Sequence, residues 1–408
     1  MNMAQDGQYQ DAIEIARTQF REEGLTARIH PLGIRGDSVR CDLKDHFTRT
    51  VAQGEGVGGL SRAVADSMFD ALGQVLQQSE RCEAPIIWAD PLVLAEEPAL
   101  EAEVPVRRLL EARRRNGFSG SNCKRIALRE YHDLVNGERV RAPLFLSIPT
   151  PIEHQITPMT HDGIREEIST YATTAGSGIA TSETEALLKG IDSLIERDAL
   201  ALLRIRSLSS AHMGAAPIPV IRRKSIPEEL QAMVASVEAD IEGGITLLDL
   251  SSDLGIPVVA AVSSPKKNNV QFMGVSAGPS AGEASGLALA RLMLAVDTNM
   301  PASDVGIASL LDMETIEDVE YISLPGHDGQ DVQAQLNERM TLLAESGFRI
   351  LVSPTCALPS GIVAVHVLIP GLERGTGVAD GRRLATGDRG RAALDAALAA
   401  QEQSAWAS

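Results

Sequence analysis

Basic and aromatic residues are both scarce in this sequence. Lysine and arginine number 37 against 55 aspartate and glutamate, which gives a formal net charge of −18 at pH 7. That excess argues against a nucleic-acid backbone or an anionic membrane as the main partner, because both bind basic surfaces. Aromatic residues make up only 3% of the chain, too few for platforms that stack unpaired bases. We therefore expect no nucleic-acid partner and no membrane partner.

Cysteine and long apolar runs are also rare. The four cysteines, Cys41, Cys82, Cys123 and Cys356, stand far apart and form no CxxC pair. This spacing argues against a disulfide framework or a thiolate zinc site and favours a reducing, cytoplasmic location. The sequence contains no stretch of roughly 18 consecutive apolar residues. Its first residues, Met1–Gln10, are polar rather than signal-like.

What is present is an ordinary globular composition, with 408 residues of which 44% are hydrophobic. A chain of this size can bury a large core, as two domains or as one large composite domain. From about Ile126 onward, apolar runs typical of strands alternate with helical patterns. We expect an α/β fold with three parts: an amino-terminal part over 1–125, a main α/β region over 126–374 and a carboxy-terminal tail with a short helix over 375–408.

The strongest local prediction is a long helix over Glu183–Arg206, in which apolar residues recur at three- and four-residue steps. Thr181 and Ser182 are suitable caps, and Glu183 and Glu185 suit the first turn. Further helices are predicted over Ala12–Glu23, over Ala284–Asp297 and after the glycine-rich run at 54–59. The strand candidates are Ile245–Leu250, Val258–Val262, Arg349–Val352 and Ile362–Ile369, and the first two read as strands covered on both faces.

Generic catalytic motifs are missing: the sequence contains no HExxH, no GxxxxGK[ST] and no GxSxG. Gly176-Ser177-Gly178 before a helix could cradle a phosphate, although a plain loop-to-helix turn explains it as well. The arginines over 107–115 follow an acidic run, which is typical of a solvated helix face, with an anion-binding patch as the alternative.

Glu185, Lys189, Asp192 and Glu196 fall on one narrow stripe of the long helix, opposite its apolar face. The stripe has two interpretations. It is either a solvent face stabilised by i,i+4 ion pairs or a carboxylate ladder that holds Mg²⁺ and nucleotide phosphates.

Four segments resemble signatures of the YcaO family and occur in the family's order over nearly the whole chain. The run Gly178-Ile179-Ala180 followed by Glu185–Ala199 resembles SNGLA…EEAILHGLYEVIERDA, and Asp249–Val262 resembles DLTSDLGIPVVAAV. The segment Ile369–Glu373 resembles VVPGLE. A weaker match joins Pro31-Leu32-Gly33-Ile34 and Gly54–Val57 to PLGITR and GKGL. By this resemblance the chain is identified as a divergent YcaO member with one large mixed α/β domain.

The resemblance implies a reaction on a ribosomally made precursor peptide. YcaO proteins use ATP and Mg²⁺ to phosphorylate the oxygen of a backbone amide. A side chain or sulfide then attacks the activated carbon to give azolines or thioamides. Phosphorylation turns a poor leaving group into a good one, and metal and cationic groups must hold the triphosphate.

Carrying the family's nucleotide site onto this sequence gives a mixed result. The positions that keep a polar or charged group suited to nucleotide or Mg²⁺ are Asp66, Asp70, Glu185, Glu196, Arg197 and Asp297. The positions where the family residue is lost are Glu55, Gly73, Gln74, Ser193, Leu294 and Asn299. Glu55 stands where the GKG motif has its lysine. A one-residue shift in the first-helix alignment would instead place Ser67 and Ala71 at the first two positions.

Three hypotheses follow. The chain is a subunit with an eroded ATP site that binds precursor peptide or supports an active partner, as a homodimer or a heterodimer. It is otherwise an active YcaO cyclodehydratase with an altered site, or a small-molecule enzyme that reuses the fold. The first is our prediction, because Glu55 repels phosphate and the missing carboxylates leave Mg²⁺ coordination incomplete.

Overall fold

Long helices and short strands alternate along the chain in the computed structural model. The structure describes residues 3–32, 38–77, 85–115, 125–148, 156–157, 171–213, 218–264, 270–300, 316–321, 331–374 and 386–407. Its helices are α1 Met3–Glu22, α2 Leu60–Gln77, α3 Val104–Arg115, α4 Glu183–Met213, α5 Glu228–Ile241, α6 Ala281–Asp297, α7 Val332–Glu345 and α8 Asp388–Ala407.

Fifteen strands of the described residues form three sheets. They are β1 Thr26–Leu32, β2 Ser38–Lys44, β3 Thr50–Val57, β4 Ile87–Ala89, β5 Arg125–Asp133, β6 Arg139–Pro143, β7 Ile156–Thr157, β8 Ser177–Ala180, β9 Ile218–Ile221, β10 Ile245–Asp249, β11 Val258–Ser263, β12 Met273–Ala277, β13 Ile316–Val319, β14 Leu351–Ala357 and β15 Val363–Leu368. The sheet orders are β1-β2-β3, β12-β11-β10-β9-β13 and β4-β5-β14-β15-β8, with β6 and β7 also paired to β5. The predicted mixed α/β fold with long helices packed on sheets is confirmed.

Helix α4 lies in the core between the five-stranded and the seven-stranded sheets. Its residues Leu187, Ile191, Leu194 and Ile195 are buried, as the periodicity predicted. They pack against both sheets in one apolar cluster. Each such side chain contributes about 2 kcal/mol of burial energy. Burial of this face leaves the polar stripe of α4 directed toward the neighbouring helices.

Strand β11 shows why the central runs lack alternation. Val258, Ala260 and Val262 face the cluster that contains α4, whereas Val259 and Ala261 face the cluster that contains α5 and α6. Both faces of the strand are therefore apolar, as predicted for a strand covered on both sides.

The glycine-rich run ends β3 and brings α2 very close to it. A methyl group at Gly54 would lie 2.1 Å from the carbonyl oxygen of Ser67, and one at Gly56 would lie 2.0 Å from that of Ala63. Only glycine allows this approach. The run therefore positions α2, together with Asp66 and Asp70, against the three-stranded sheet.

Helix α8 packs on α4 through an ionic clamp. Arg389 Nη2 lies 3.0 Å from Asp198 Oδ2 and 2.7 Å from Asp253 Oδ1. The Glu373 carboxylate accepts hydrogen bonds from the backbone nitrogens of Gly387, at 3.1 Å, and of Gly390, at 2.7 Å. The clamp fixes the carboxy-terminal helix against the end of the α4 stripe.

Two cysteines are described, and they differ. Cys41 is a buried free thiol, and burial raises its pKa to about 12. Cys356 is disulfide-bonded, which contradicts the argument against disulfide bonds drawn from the wide spacing of the cysteines. None of the helices in the described residues is long and apolar enough to cross a membrane.

The predicted boundaries mostly hold. Helix α4 begins at Glu183 as predicted and is capped by Ser182, whose Oγ accepts a hydrogen bond from Glu185 N at 3.3 Å. It continues past the predicted end to Met213, and α1 begins at Met3 rather than Ala12. Gly33 and Ile34 of the weak amino-terminal match lie outside the described residues.

Candidate functional site

The centre of the site is a lysine between two carboxylates. Lys189 Nζ lies 2.9 Å from Asp66 Oδ1 on α2 and 3.2 Å from Glu185 Oε1 on its own helix. Arg62 Nε lies 3.5 Å from Asp66 Oδ2, and Arg62 also binds Glu283 of α6 at 3.0 Å. Burial favours the neutral form of Asp66, but Lys189 and Arg62 outweigh it and hold the pKa of Asp66 below its ordinary value. A cationic side chain thus joins α2 to α4.

Asp70 lies one helical turn further along α2 and faces β3. Its Oδ2 accepts a hydrogen bond from the backbone nitrogen of Glu55 at 3.1 Å. Desolvation, together with the negative charges of Glu55 and Asp66, raises the pKa of Asp70 to about 6. The Glu55 side chain turns to Arg40, with its Oε1 3.0 Å from Arg40 Nη2. Glu55 therefore has a cationic partner on the adjacent strand.

Glu196 belongs to a second ionic group further along the stripe. Arg291 of α6 places Nη1 2.7 Å from Glu196 Oε2. The other oxygen, Oε1, accepts a hydrogen bond from Ala277 N at 2.9 Å. One turn earlier, Asp192 Oδ1 lies 3.0 Å from Nε of Arg339, which is 1% exposed. A second Arg339 nitrogen, Nη2, donates to the carbonyl oxygen of Gly278 at 2.6 Å. Glu185 and Glu196 are about 16 Å apart along the helix axis at 1.5 Å per residue, so the acids form two separate groups.

Arg197 and Asp297, two of the positions that keep a suitable group, are influenced by other charged residues than those around Lys189. The pKa of Arg197 is lowered to about 10 by burial and by the positive charges of Arg374 and Arg204. Asp297, at the end of α6, has its pKa raised by burial and by Asp240 of α5. The charges that act on these two residues are thus not those of the Lys189 group.

Apart from Glu55, the substituted positions carry no carboxylate. Gly73 packs near Ile179, and Gln74 Nε2 donates to the carbonyl oxygen of Gln53 at 2.6 Å. Ser193 Oγ accepts from Gly176 N at a long 3.5 Å. Leu294 lies on α6, and Asn299 follows that helix with a left-handed φ of 50°. None of these side chains brings a carboxylate to the acids of the stripe.

Sequence reasoning missed three arginines, Arg62, Arg291 and Arg339. Arg62 lies four residues before Asp66, and Arg291 lies three residues before Leu294, so both share a helix face with an aligned position. That spacing was the available signal. Arg339 lies 147 residues from Asp192 in sequence, and no local pattern indicates its role.

The acids of the stripe already have cationic partners where the resemblance implies Mg²⁺ and nucleotide. Divalent magnesium needs several oxygen ligands at about 2.1 Å. Here the oxygens of Asp66, Glu185 and Glu196 already contact Lys189 or Arg291. Among the described residues no group of three or more histidine, cysteine, aspartate or glutamate side chains could hold a metal ion. The arrangement does not fit Mg²⁺ unless the cationic side chains move away.

Comparison with known proteins gives the same family as the signature segments. A family model described as YcaO cyclodehydratase, ATP- and Mg²⁺-binding, matches residues 89–373. No curated protein matches the sequence.

Similar solved structures share the fold at low sequence identity. A heterocyclase in complex with substrate and cofactor has a TM-score of 0.61 and 16% identity over 90% of this chain and 54% of its own. This chain therefore spans about half of that heterocyclase. YcaO from Methanopyrus kandleri bound with AMPPCP and Mg²⁺ gives a TM-score of 0.58 and 15% identity, over 90% of this chain and 91% of that one. An E. coli microcin synthetase McbBCD complex with pro-MccB17 bound gives 0.53 and 13%, over 85% and 87%.

These structural matches establish a common fold, and the family model covers most of the chain. Together with the signature segments, they show that this chain belongs to the YcaO family.

Proposed function

We propose that this chain is a YcaO subunit with a degenerate ATP site, acting in the maturation of a ribosomally made peptide of the azoline or thioamide type. Its role is to bind precursor peptide or an ATP-competent partner, as a homodimer or a heterodimer. The observation that carries the proposal is Lys189, whose ammonium group contacts Asp66 at 2.9 Å and Glu185 at 3.2 Å. These acids stand at two of the positions that the family resemblance assigns to the nucleotide site, where the family has a serine and a glutamate, respectively.

The charges around Lys189 support this reading. An ammonium ion between two carboxylates gives the electrostatic compensation that a divalent cation would otherwise give. Arg291 does the same for Glu196 and Arg339 for Asp192. Binding Mg·ATP would require these ion pairs to break, and Glu55, which is paired with Arg40, offers phosphate none of the attraction of the family's lysine.

The comparisons support a peptide setting. The matched structures include a heterocyclase with substrate and a multi-chain synthetase with its precursor. A YcaO protein that does not use ATP still has the surface that contacts the precursor peptide and the other synthetase chains. We therefore place the contribution of this chain in binding rather than in amide activation.

The test is isothermal titration of the purified chain with Mg·ATP, together with phosphate release measured with and without candidate precursor peptide. We expect no saturable nucleotide binding and no peptide-stimulated hydrolysis, but saturable peptide binding. Micromolar Mg·ATP affinity with peptide-stimulated hydrolysis by this chain alone would overturn the proposal. That result would establish the alternative, an active cyclodehydratase that phosphorylates a backbone amide.

Glu55→Lys is the companion variant. It restores the family charge at one position, yet we expect nucleotide affinity to stay low because Gly73, Ser193 and Leu294 still supply no ligand. Strong Mg·ATP binding by this variant would show that Glu55 alone blocks the site and that the remaining residues are competent.

A further inference from the structure

A cavity of about 50 Å³ lies on the face of the seven-stranded sheet opposite to α4. We call it the Arg129 cavity. Its polar lining comes from Arg129 on β5, Ser147, Ser177 on β8, Thr355 on β14 and His366 on β15, and Gly73 of α2 lies at its edge. A single water needs about 10–15 Å³. The cavity therefore holds a few waters or one small polar group, and it is too small for a nucleotide.

Arg129 is the unusual member of this lining. It is 4% exposed, and its Nη1 donates to Ser147 Oγ at 2.9 Å. Its Nε is buried and has no hydrogen-bond partner among the described residues. No carboxylate of the described residues forms an ion pair with it. A guanidinium ion removed from water normally has an anion or several strong acceptors beside it.

The neighbouring side chains do not supply that anion. His366 Nε2 lies 3.0 Å from the carbonyl oxygen of Ala175, which can only accept, so this nitrogen is the donor. His366 Nδ1 then accepts from the Tyr131 hydroxyl at 2.9 Å. Burial, aided by Arg129 and Arg374, lowers the pKa of His366 well below its ordinary value. Burial also raises the pKa of Tyr131, so the imidazole and the phenol are both neutral.

A second buried guanidinium adds to the positive charge. Arg374 Nε lies 2.6 Å from Oε1 of Glu103, and both side chains are almost fully buried. The two terminal nitrogens of Arg374 are buried without a hydrogen-bond partner in the described part of the chain. Glu103 pairs with Arg374, and the charge of Glu373 also acts on this pair. Arg129 itself forms no ion pair with a carboxylate of the described residues.

We propose that the Arg129 cavity binds a carboxylate group, which accepts hydrogen bonds from the Arg129 guanidinium. A carboxylate matches the flat donor edge of arginine, carries the single negative charge that is needed and fits the volume. It comes either from a free small carboxylic acid or from an acidic group of a peptide. The cavity borders Gly73 and the Ser177-Gly178 segment of the family signature. The inference does not depend on the proposed function, because it is argued from the buried Arg129 guanidinium and not from a nucleotide.

The experiment follows the NMR signals of the arginine Nε–Hε groups in the full-length, ¹⁵N-labelled protein during titration with sodium acetate. Acetamide, which has the same shape but no charge, is the ligand control. Arg129→Gln removes the proposed partner, and Arg125→Gln changes an exposed arginine on the same strand. We expect saturable acetate binding that weakens about tenfold or more in Arg129→Gln, as for one charge-assisted hydrogen bond. Arg125→Gln is expected to bind acetate like the wild type.

Two peptides with the same sequence distinguish the sources, one with a free carboxy terminus and one with a terminal amide. Tighter binding of the free-acid peptide than of acetate assigns the cavity to a peptide, and the reverse assigns it to a free acid. If Arg129→Gln does not fold, the shift of the wild-type Arg129 signal with acetate but not acetamide decides the matter. Absence of a saturable shift, an equal response to acetamide or tighter binding of inorganic phosphate would each overturn the proposal.

Discussion

Lys189 contacts a carboxylate on its own helix and another on α2, so one side chain links two helices. Its removal leaves Glu185 without a cationic partner and leaves Asp66 with only the longer, 3.5 Å contact to Arg62. We expect Lys189→Gln to lower the free energy of unfolding by about 1–2 kcal/mol, less than a fully buried pair because the group is partly solvated. Urea denaturation at neutral pH measures this change.

The same variant tests the metal interpretation. With the ammonium removed, Asp66 and Glu185 become available to a divalent cation, so millimolar Mg²⁺ should raise the melting temperature of Lys189→Gln but not of the wild type. Arg17→Gln is the control, because Arg17 makes only an exposed pair with Glu14. Equal Mg²⁺ responses in all three proteins would show that Lys189 does not occupy a cation position.

Asp70 makes the stability depend on pH. Its pKa is raised to about 6 in the folded protein, whereas in the unfolded chain it is near 3.9. Between these two pH values the folded state binds more protons than the unfolded state. The contribution of Asp70 to the free energy of unfolding is therefore fully present below this pH range, and it is lost as the pH rises through the range.

The variant Asp70→Asn should remove this dependence. We expect a gain of about 1 kcal/mol at pH 7 and little change at pH 4, a modest figure because the carboxylate is only partly desolvated and solvent screening weakens its interactions. Denaturation curves at the two pH values provide the measurement. A larger gain at pH 4 than at pH 7 would contradict the raised pKa.

At the scale of elements, the contact of α2 with β3 depends on two glycines. A methyl group at Gly56 would overlap the backbone of α2, so Gly56→Ala should destabilise the protein by about 2–3 kcal/mol through displacement of the helix. Gly73→Ala in α2 is the matched control, because its methyl group would meet Ile179 at an ordinary 3.6 Å. The control should be neutral or slightly stabilising. Thermal denaturation of both variants compares the two sites.

The elements differ in how well the sequence predicts them. Helix α4 was predictable because Leu187, Ile191 and Leu194 repeat with the helical period and Ser182 caps the first turn. The sequence predicts a helix after the glycine-rich run, but it does not predict the close packing of the run against α2, which depends on where α2 lies in three dimensions. The partners of the stripe were not predictable, since Arg339 and Asp192 meet only through tertiary folding. Sequence patterns encode local periodicity and not which charges meet across elements.

At the scale of the whole molecule, Arg389 attaches α8 to the body of the domain. The Asp198 carboxylate is fully buried, and without Arg389 it keeps a hydrogen bond from Glu373 N at 2.7 Å but loses its counter-ion. We expect Arg389→Ala to cost about 3 kcal/mol, as for other buried pairs that lose one partner. Hydrogen exchange in residues 388–407 should also increase.

The neighbouring Arg391→Ala provides the control for this prediction. Arg391 pairs with Asp388 on the exposed side of the same helix, and an exposed pair contributes about 0.5 kcal/mol. Similar losses in both variants would mean that the clamp to Asp198 does not hold α8 in place.

The tethered cation of Lys189 also changes how the fold responds to its surroundings. A metal-filled site follows mass action, so its contribution to stability varies with the free concentration of the ion and vanishes under chelation. An ammonium group covalently attached to α4 has a constant local concentration. On the proposed function, we therefore expect the link between α2 and α4 to be unaffected by the concentration of Mg²⁺ or ATP or by EDTA.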